Sequence, residues 1–292
     1  MALPRARRGS FGHVSPNAIW PIRPFQGTAN DGIHAMRPKT MLAAGRGIAA
    51  QALISFAAVL VLWQAAASGL ALPSFLLPSP ADVVAAYGAY GPRLLTEAGV
   101  TLLETMLGLA AGIAFGLATG LAVSASPLAN RMLSPLLVVS QALPVFALAP
   151  LLVLWFGFGL ASKVVMTTLV IFFPVASAFA DGLRRTPPHF LDLARLNGAG
   201  RFRTLRLIRV PAALPALVTG IRVAAVYAPI GAVIGEWVGA SRGLGLLMVQ
   251  ANARMQTPLL FAALGVLAAA TLLLKIAVDR LTLRLIPWIE KD

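Results

Sequence analysis

The residues that most often carry enzymatic chemistry are scarce in this chain and poorly spaced for it. The 292 residues include no cysteine and only three histidines, His13, His34 and His189. Thiolate metal sites and a cysteine nucleophile are therefore excluded. A membrane protease would need paired aspartates or a His-Glu-x-x-His helix, but Asp181 and Asp279 stand without partner motifs. We predict that the chain has no metal site and is not an enzyme.

A phosphate-binding loop is also missing from the sequence. The motif G-x-x-x-x-G-K-[ST] cradles nucleotide phosphates, and the four lysines all lack that context: Lys39, Lys163, Lys275 and Lys291. Any ATP that drives this protein must therefore be hydrolysed by another chain. The alternative to an ATP-driven transporter is a secondary transporter driven by an ion gradient. A secondary transporter would need carboxylates at the membrane midplane and usually more spans.

Polar side chains within apolar segments are the remaining candidates, because lipid makes them costly. Gln141 and Tyr227 lie beside prolines that would kink a helix, and Glu236 closes an apolar run. We predict these three as contacts for a polar solute along a translocation pathway.

Four other charged residues in apolar segments have simpler interpretations. Glu104 is expected to be a satisfied anchor near the membrane interface, with a place along a pathway as the alternative. Lys275 and Asp279, one helical turn apart, are expected to form an ion pair. Arg222 either neutralises an anionic solute or extends to the interface.

Membrane helices must position these side chains. The composition is 58% hydrophobic and 12% charged, with a mean hydropathy of +0.82, which is typical of a polytopic membrane protein. About 20 apolar residues span a bilayer. On that measure we predict an all-α membrane protein with six transmembrane helices, at residues 48–68, 99–122, 135–156, 164–181, 212–235 and 259–280.

The net charge is +14, and the basic residues are concentrated in segments predicted to lie on one side of the membrane. Eighteen of the 24 Lys and Arg residues lie in the N-terminal arm, in alternate loops or in the C-terminal tail, which matches the positive-inside rule. Both termini are therefore predicted to be cytosolic, and nucleic acid is not expected as a partner. Residues 1–46 are predicted to form a disordered basic cytosolic arm, and residues 47–292 the transmembrane domain.

Glycines recur every fourth residue in two of the predicted spans, at Gly108, Gly112, Gly116 and Gly120, and at Gly231, Gly235, Gly239 and Gly243. This spacing allows two helix backbones to approach closely. Tight packing within one subunit is the favoured explanation, and a seam between subunits is the alternative.

The segment 187–211 is the one long charged stretch between spans. Thr186 is predicted as an N-cap, with Pro187 at the first helical position and Gly198 as the residue that ends the helix. Arg195 is placed to pair with Asp192. A second helix is predicted over 200–209, with an apolar stripe of Phe202, Leu205 and Ile208, and Pro211 is expected to end it. Such an element could dock into a groove on a soluble partner.

The same segment resembles the "EAA" loop in permease subunits of bacterial ABC importers. That loop has E-A-A, three residues, glycine, nine residues and I-x-L-P; the corresponding residues here are Asp192, Leu193, Ala194, Gly198, Ile208 and Pro211. Asp replaces Glu, Leu replaces the first Ala, and Val210 replaces Leu. The similarity extends from about residue 70 to 290 and includes the Leu77-Pro78-Ser79-Pro80 segment.

The resemblance implies a type I ABC importer permease fold with a core at about residues 95–281. Residues 190–200 would be the coupling helix that fits a cleft in an ATPase subunit. The chain would bind no cofactor, because ATP-Mg would be held by that ATPase. The implied partners are two ATPase subunits, a periplasmic or lipid-anchored solute-binding protein, a second permease copy (favouring a homodimer) and the lipid of the bacterial inner membrane.

The resemblance is to the nitrate/sulfonate/taurine group of permeases. The segments 235–245 and 251–254 are most similar to a branch associated with thiamine pyrimidine precursors, which makes a hydroxymethylpyrimidine-like solute the expected cargo. An aliphatic sulfonate, taurine or nitrate is the alternative. Specificity in such systems lies mostly in the separate binding protein.

Overall fold

The computed structural model describes residues 38–69, 73–142 and 144–288, and within these ranges the chain forms helices and no strand. Residues 1–37 of the predicted arm lie outside the described residues, so the division at residue 46 stays a prediction. The elements are α1 (Pro38–Gly69), α2 (Pro80–Ala125), α3 (Pro127–Ala142), α4 (Val145–Phe156), α5 (Leu160–Arg184), α6 (Pro188–Leu196), α7 (Arg201–Thr204), a π-helical turn (Leu205–Arg209), α8 (Val210–Gly239), α9 (Leu244–Ala253) and α10 (Thr257–Leu283).

Contacts divide the chain into two units at Ala57 and Ala58. The first described part of α1 belongs to the N-terminal unit, and the remainder of α1 with all later helices belongs to the second unit. The packing described below lies within the second unit.

The structure does not exactly confirm the predicted count of six spans. Among the described residues, four helices are long and apolar enough to cross a membrane: α2, α5, the continuous helix Arg201–Gly239 and α10. The predicted third span is instead two helices that meet at an angle of 103°, with Pro144 at the N-cap of α4. The described apolar part of α1, Ile54–Gly69, is shorter than a span.

The bent α3–α4 pair nevertheless carries the chain back across the bundle. Gly112 of α2 faces Ile171 of α5, and Gly120 faces Phe179, so α2 and α5 run parallel. After α2 ends, the chain must therefore return to the other end of the bundle before α5 begins. Residues 126–159 are the segment that does so. The pair counts as one crossing, made by a broken helix.

The two glycine series hold α5 between α2 and α8. A Cβ atom on Gly116 of α2 would lie 2.8 Å from Cβ of Val175, and one on Gly231 of α8 would lie 2.8 Å from Cα of Thr167. Gly235 and Gly239 likewise face Lys163 and Val153. The explanation by packing within one subunit is confirmed, since these glycines meet helices of the same chain.

The helix α2 begins at a well-formed capping box. The Ser79 hydroxyl accepts a hydrogen bond from the Asp82 amide at 3.2 Å, and the Ser79 amide donates to the Asp82 carboxylate at 3.0 Å. Pro80 occupies the first turn, where its missing N–H costs nothing. The indole N–H of Trp63 donates to the Pro78 carbonyl at 3.0 Å, which joins the end of α1 to the start of α2.

Gly116→Leu is expected to lower the free energy of unfolding by about 1–3 kcal/mol, because Val175 and the Phe172 carbonyl leave no room for a side chain and overpacking costs that much. The measurement is the denaturation midpoint in mixed detergent micelles. Gly88→Leu is the matched control, since no atom lies within 4 Å of a Cβ there. Equal stability of the two variants would contradict the packing account.

Candidate functional site

The helix α6 lies between the ends of α5 and α8, and its start differs from the prediction. It begins at Pro188 with Pro187 as the N-cap, and no side chain caps it. Thr186 was predicted as the N-cap, but its hydroxyl donates instead to the Leu183 carbonyl at 3.1 Å. A threonine hydroxyl can bond the preceding turn as readily as the following one, and here it extends the end of α5.

The end of α6 is as predicted. Gly198 has φ of +65°, a conformation that side chains with a Cβ disfavour. The Ala199 amide donates to the Ala194 carbonyl at 2.9 Å, and the Gly198 amide donates to the Arg195 carbonyl at 3.0 Å. These two bonds form a Schellman motif, so Gly198 fixes where α6 stops and where the chain turns.

One face of α6 is apolar, and no other segment among the described residues covers it. Leu193 is 57% exposed and Leu196 is 86% exposed, and Phe190 is exposed with its ring 4.3 Å from that of His189. On the opposite face Ala194 is buried. The predicted pair of Asp192 and Arg195 is present at 2.9 Å, with both side chains exposed. An exposed apolar face of this kind is typical of a surface that contacts another protein or the membrane.

The segment after α6 corrects the predicted second helix. The helix that starts at Arg201 does not stop before Pro211 but continues through a π-helical turn into α8. In that turn the Val210 amide donates to the Leu205 carbonyl, five residues back. The wider turn accommodates a proline that would clash with the carbonyl four residues back in an α-helix.

The predicted apolar stripe of Phe202, Leu205 and Ile208 does not lie on one common surface. Phe202 is exposed, whereas Leu205 packs against the core formed by α5 and α8. The Arg209 guanidinium donates to the Leu183 carbonyl at 3.0 and 3.2 Å. These hydrogen bonds fasten the segment to the end of α5.

A buried polar cluster lies at the opposite end of the bundle, around Glu236 of α8. Glu236 has 0% exposure. The Thr101 hydroxyl donates to one carboxylate oxygen at 2.7 Å, and the Gly245 amide donates to the other at 2.5 Å. The Leu244 amide donates to Thr101 at 2.8 Å. Glu236 therefore holds the start of α9 against α2 and α8.

Lys163 completes this cluster. Apart from its position outside any phosphate-binding motif, this lysine carries no prediction from the sequence, yet it is 2% exposed. Its ammonium donates to the carbonyls of Phe158 at 2.5 Å and Gly159 at 2.9 Å, and also to the Gly239 carbonyl. The turn before α5 is thereby tied to the end of α8.

The prediction of Glu104 as a satisfied anchor near the membrane interface is wrong. Glu104 is 4% exposed, and its carboxyl interacts with the Glu236 carboxyl and with the Lys163 ammonium. Its Oε2 atom has no hydrogen-bond partner among the described residues. Two carboxyls and one ammonium are thus enclosed between α2, α5 and α8.

A second charged cluster joins α8 to α10. The predicted pair of Lys275 and Asp279 is present. Arg222 contacts the same carboxylate, with its Nε 3.3 Å from Asp279 Oδ1, and donates to the Thr282 hydroxyl at 3.2 Å. Two cations therefore share one carboxylate within the membrane-spanning helices.

The pathway candidates are not brought together by the structure. Tyr227 is 49% exposed on α8, whereas Glu236 is enclosed, and a solute could reach it only if the start of α9 moved. The side chain of Gln141 lies outside the described residues. The pathway assignment of these three residues stays a prediction.

Comparison with known proteins decides the family. Residues 112–291 match the family described as "Binding-protein-dependent transport system inner membrane component". The chain belongs to this family.

Named relatives of this permease cover most of its length. It is 49% identical over 228 residues (78% of this chain, 93% of the relative) to a probable ABC transporter permease protein of Haemophilus influenzae. It is 41% identical over 232 residues (79% and 87%) to a riboflavin transport system permease protein of Chloroflexus aurantiacus. It is 35% identical over 238 residues (81% and 95%) to a formylaminopyrimidine transport permease protein of Halalkalibacterium halodurans.

The fold of the permease is that of a solved ABC transporter. A chain of the MetNI methionine ABC transporter, in an inward-facing conformation, superposes with a TM-score of 0.58 at 22% identity, covering 66% of this chain and 96% of that chain. The all-helical type I permease fold inferred from the EAA-like segment is confirmed. The protein is an inner-membrane transporter subunit rather than an enzyme, in a family whose members work with ATPase subunits.

Proposed function

We propose that this permease forms the membrane pathway of an ATP-driven importer and receives the motion of an ATPase subunit through α6. The observation that carries the proposal is the exposed apolar face of α6, with Leu193 and Leu196 uncovered on a helix whose end Gly198 fixes. Arg209 and the π-helical turn connect this face to α5 and α8. Docking there would rotate two spans together.

The distribution of charge supports a cytosolic position for α6. The end of the bundle that carries α6 also carries the basic residues that follow α5 and those at the end of α10, Arg184, Arg185, Arg195, Arg201, Arg203, Arg206, Arg209, Arg280 and Arg284. The opposite end has Arg93, Arg242 and Arg254. An excess of arginine marks the cytosolic side, so the α9 end would face the solute-binding protein. The ATPase, holding ATP-Mg, would bind α6 of each copy in a permease homodimer.

For the cargo we propose a small nitrogen heterocycle, first a pyrimidine precursor of thiamine. The support is the similarity to relatives named for formylaminopyrimidine and riboflavin transport. The pyrimidine is placed first because the segments 235–245 and 251–254 resemble the pyrimidine-precursor branch. Riboflavin is the second candidate, since the relative named for its transport is the more similar of the two over the matched length. A sulfonate, taurine or nitrate is the remaining alternative.

Reconstitution in proteoliposomes tests this function. The permease with its ATPase and binding protein should take up labelled aminopyrimidine only with internal ATP, and the permease alone should take up none. Uptake by the permease alone, driven by an ion gradient, would contradict the proposal. Uptake of taurine with no uptake of either heterocycle would correct the cargo but leave the ATP-driven mechanism intact.

A further inference from the structure

An open groove runs along the bundle surface between α8 and α10, with a volume of about 340 Å³. Its lining is mostly apolar, with Lys275 at one end: Val226, Leu264, Leu267, Ala268, Thr271, Leu272 and Lys275. The Thr271 hydroxyl donates to the Leu267 carbonyl at 2.8 Å and is therefore already paired. From Leu264 to Lys275 the groove follows about three turns of α10, or roughly 16 Å at 1.5 Å per residue. That length is comparable to much of one leaflet of a bilayer whose core is about 30 Å thick.

The charged end of the groove has an excess of positive charge. Lys275 lines it, and Arg222 lies one helical turn before Val226 on α8. Both cations contact a single carboxylate, Asp279, and neither forms an ion pair with another acid among the described residues. An unbalanced cation within a membrane-spanning segment is costly, so an anionic group beside Lys275 would be stabilised.

The shape and the charge together select the ligand. A small polar solute would leave its own polar groups unpaired against the apolar lining, whereas a hydrocarbon chain would match it. Basic pockets between transmembrane helices bind anionic lipid headgroups. We infer that this groove binds one anionic phospholipid, with an acyl chain along α10 and its phosphate between Lys275 and Arg222.

Lipid retention tests the site without reference to transport. The full-length permease is reconstituted in equal amounts of phosphatidylglycerol and phosphatidylethanolamine, extracted in mild detergent, and analysed by native mass spectrometry. The wild-type protein is expected to retain phosphatidylglycerol in preference to phosphatidylethanolamine. Lys275→Gln should reduce this preference about fivefold, the effect of one cation on an anionic headgroup.

Two further variants separate the groove from general charge. Arg280→Gln removes the same charge from an exposed position on the same helix, and it should leave the preference unchanged. Ala268→Phe fills the apolar part of the groove without changing charge, and it should reduce phosphatidylglycerol retention. Helix content by circular dichroism confirms that each variant is folded.

The proposal is overturned if the wild-type protein retains both lipids equally, or if Lys275→Gln and Arg280→Gln have the same effect. It is also overturned if Ala268→Phe lowers the amount of a two-copy assembly while lipid retention is unchanged, because a second permease copy would then occupy the groove.

Discussion

Gly198→Val is expected to uncouple the permease from its ATPase while the membrane helices stay folded. Gly198 has φ of +65°, and a left-handed conformation costs a residue with a Cβ about 1–2 kcal/mol, more for a branched one. The end of α6 would rearrange to relieve this strain, and its apolar face would no longer fit the ATPase. We expect solute-stimulated ATP hydrolysis in proteoliposomes to fall about tenfold or more, as a loss near 1.4 kcal/mol implies.

The chain offers a close control two residues away. Gly200 has φ of −66° and ψ of 164°, which suits a branched side chain, and no atom lies within 4 Å of a Cβ at either position. Gly200→Val should therefore keep normal coupling. Coupling that is retained in Gly198→Val, or lost equally in both variants, would contradict the assigned role of α6.

Lys163→Met is expected to cause the largest loss of stability of any single substitution considered for this permease. The ammonium of Lys163 donates to three carbonyls and lies beside Glu104 and Glu236. Methionine fills a similar volume but leaves these carbonyls unpaired and the carboxyls without a counter-charge. A hydrogen bond that involves a charged group contributes about 1.5–3 kcal/mol. Losing three of them is expected to lower the free energy of unfolding, measured in mixed micelles, by more than about 3 kcal/mol.

The control for that variant is Arg254→Met, which removes an exposed cation at the same end of the bundle and should change stability by less than about 0.5 kcal/mol. The double variant Lys163→Met with Glu104→Gln should recover part of the loss, because one buried carboxyl is removed together with the ammonium, and Glu104 Oε2 accepts no hydrogen bond that the amide would break. Lys163→Met as stable as Arg254→Met would show that the cluster contributes little.

Local sequence signals predicted α6 well because they act over a few residues. The glycine after a short amphipathic segment indicated a left-handed helix end, and the spacing of Asp192 and Arg195 indicated their ion pair. Errors arose where one residue has two local solutions. Thr186 bonds the turn before it instead of capping the next helix, and Pro211 is accommodated by a π-helical turn.

The charge cluster at the α9 end could not be predicted because its members come from distant parts of the sequence. Thr101, Lys163 and Glu236 lie on three different helices, and no spacing rule relates them. The glycine series was more informative than the charged residues, since it showed which faces of α2 and α8 lack side chains and allow close helix packing. It did not show that both faces meet α5, because the partner of each face is set by the tertiary contacts of the folded chain.

The central claim is that α6 lies in the cytosol and contacts the ATPase, and Leu193→Cys tests it most directly. The chain has no other cysteine, and Leu193 is 57% exposed, so a membrane-impermeant maleimide would report on this position alone. We predict labelling in inside-out vesicles, none in right-side-out spheroplasts, and protection when the ATPase is bound. Labelling from the outer side, or unchanged labelling with the ATPase bound, would contradict the account.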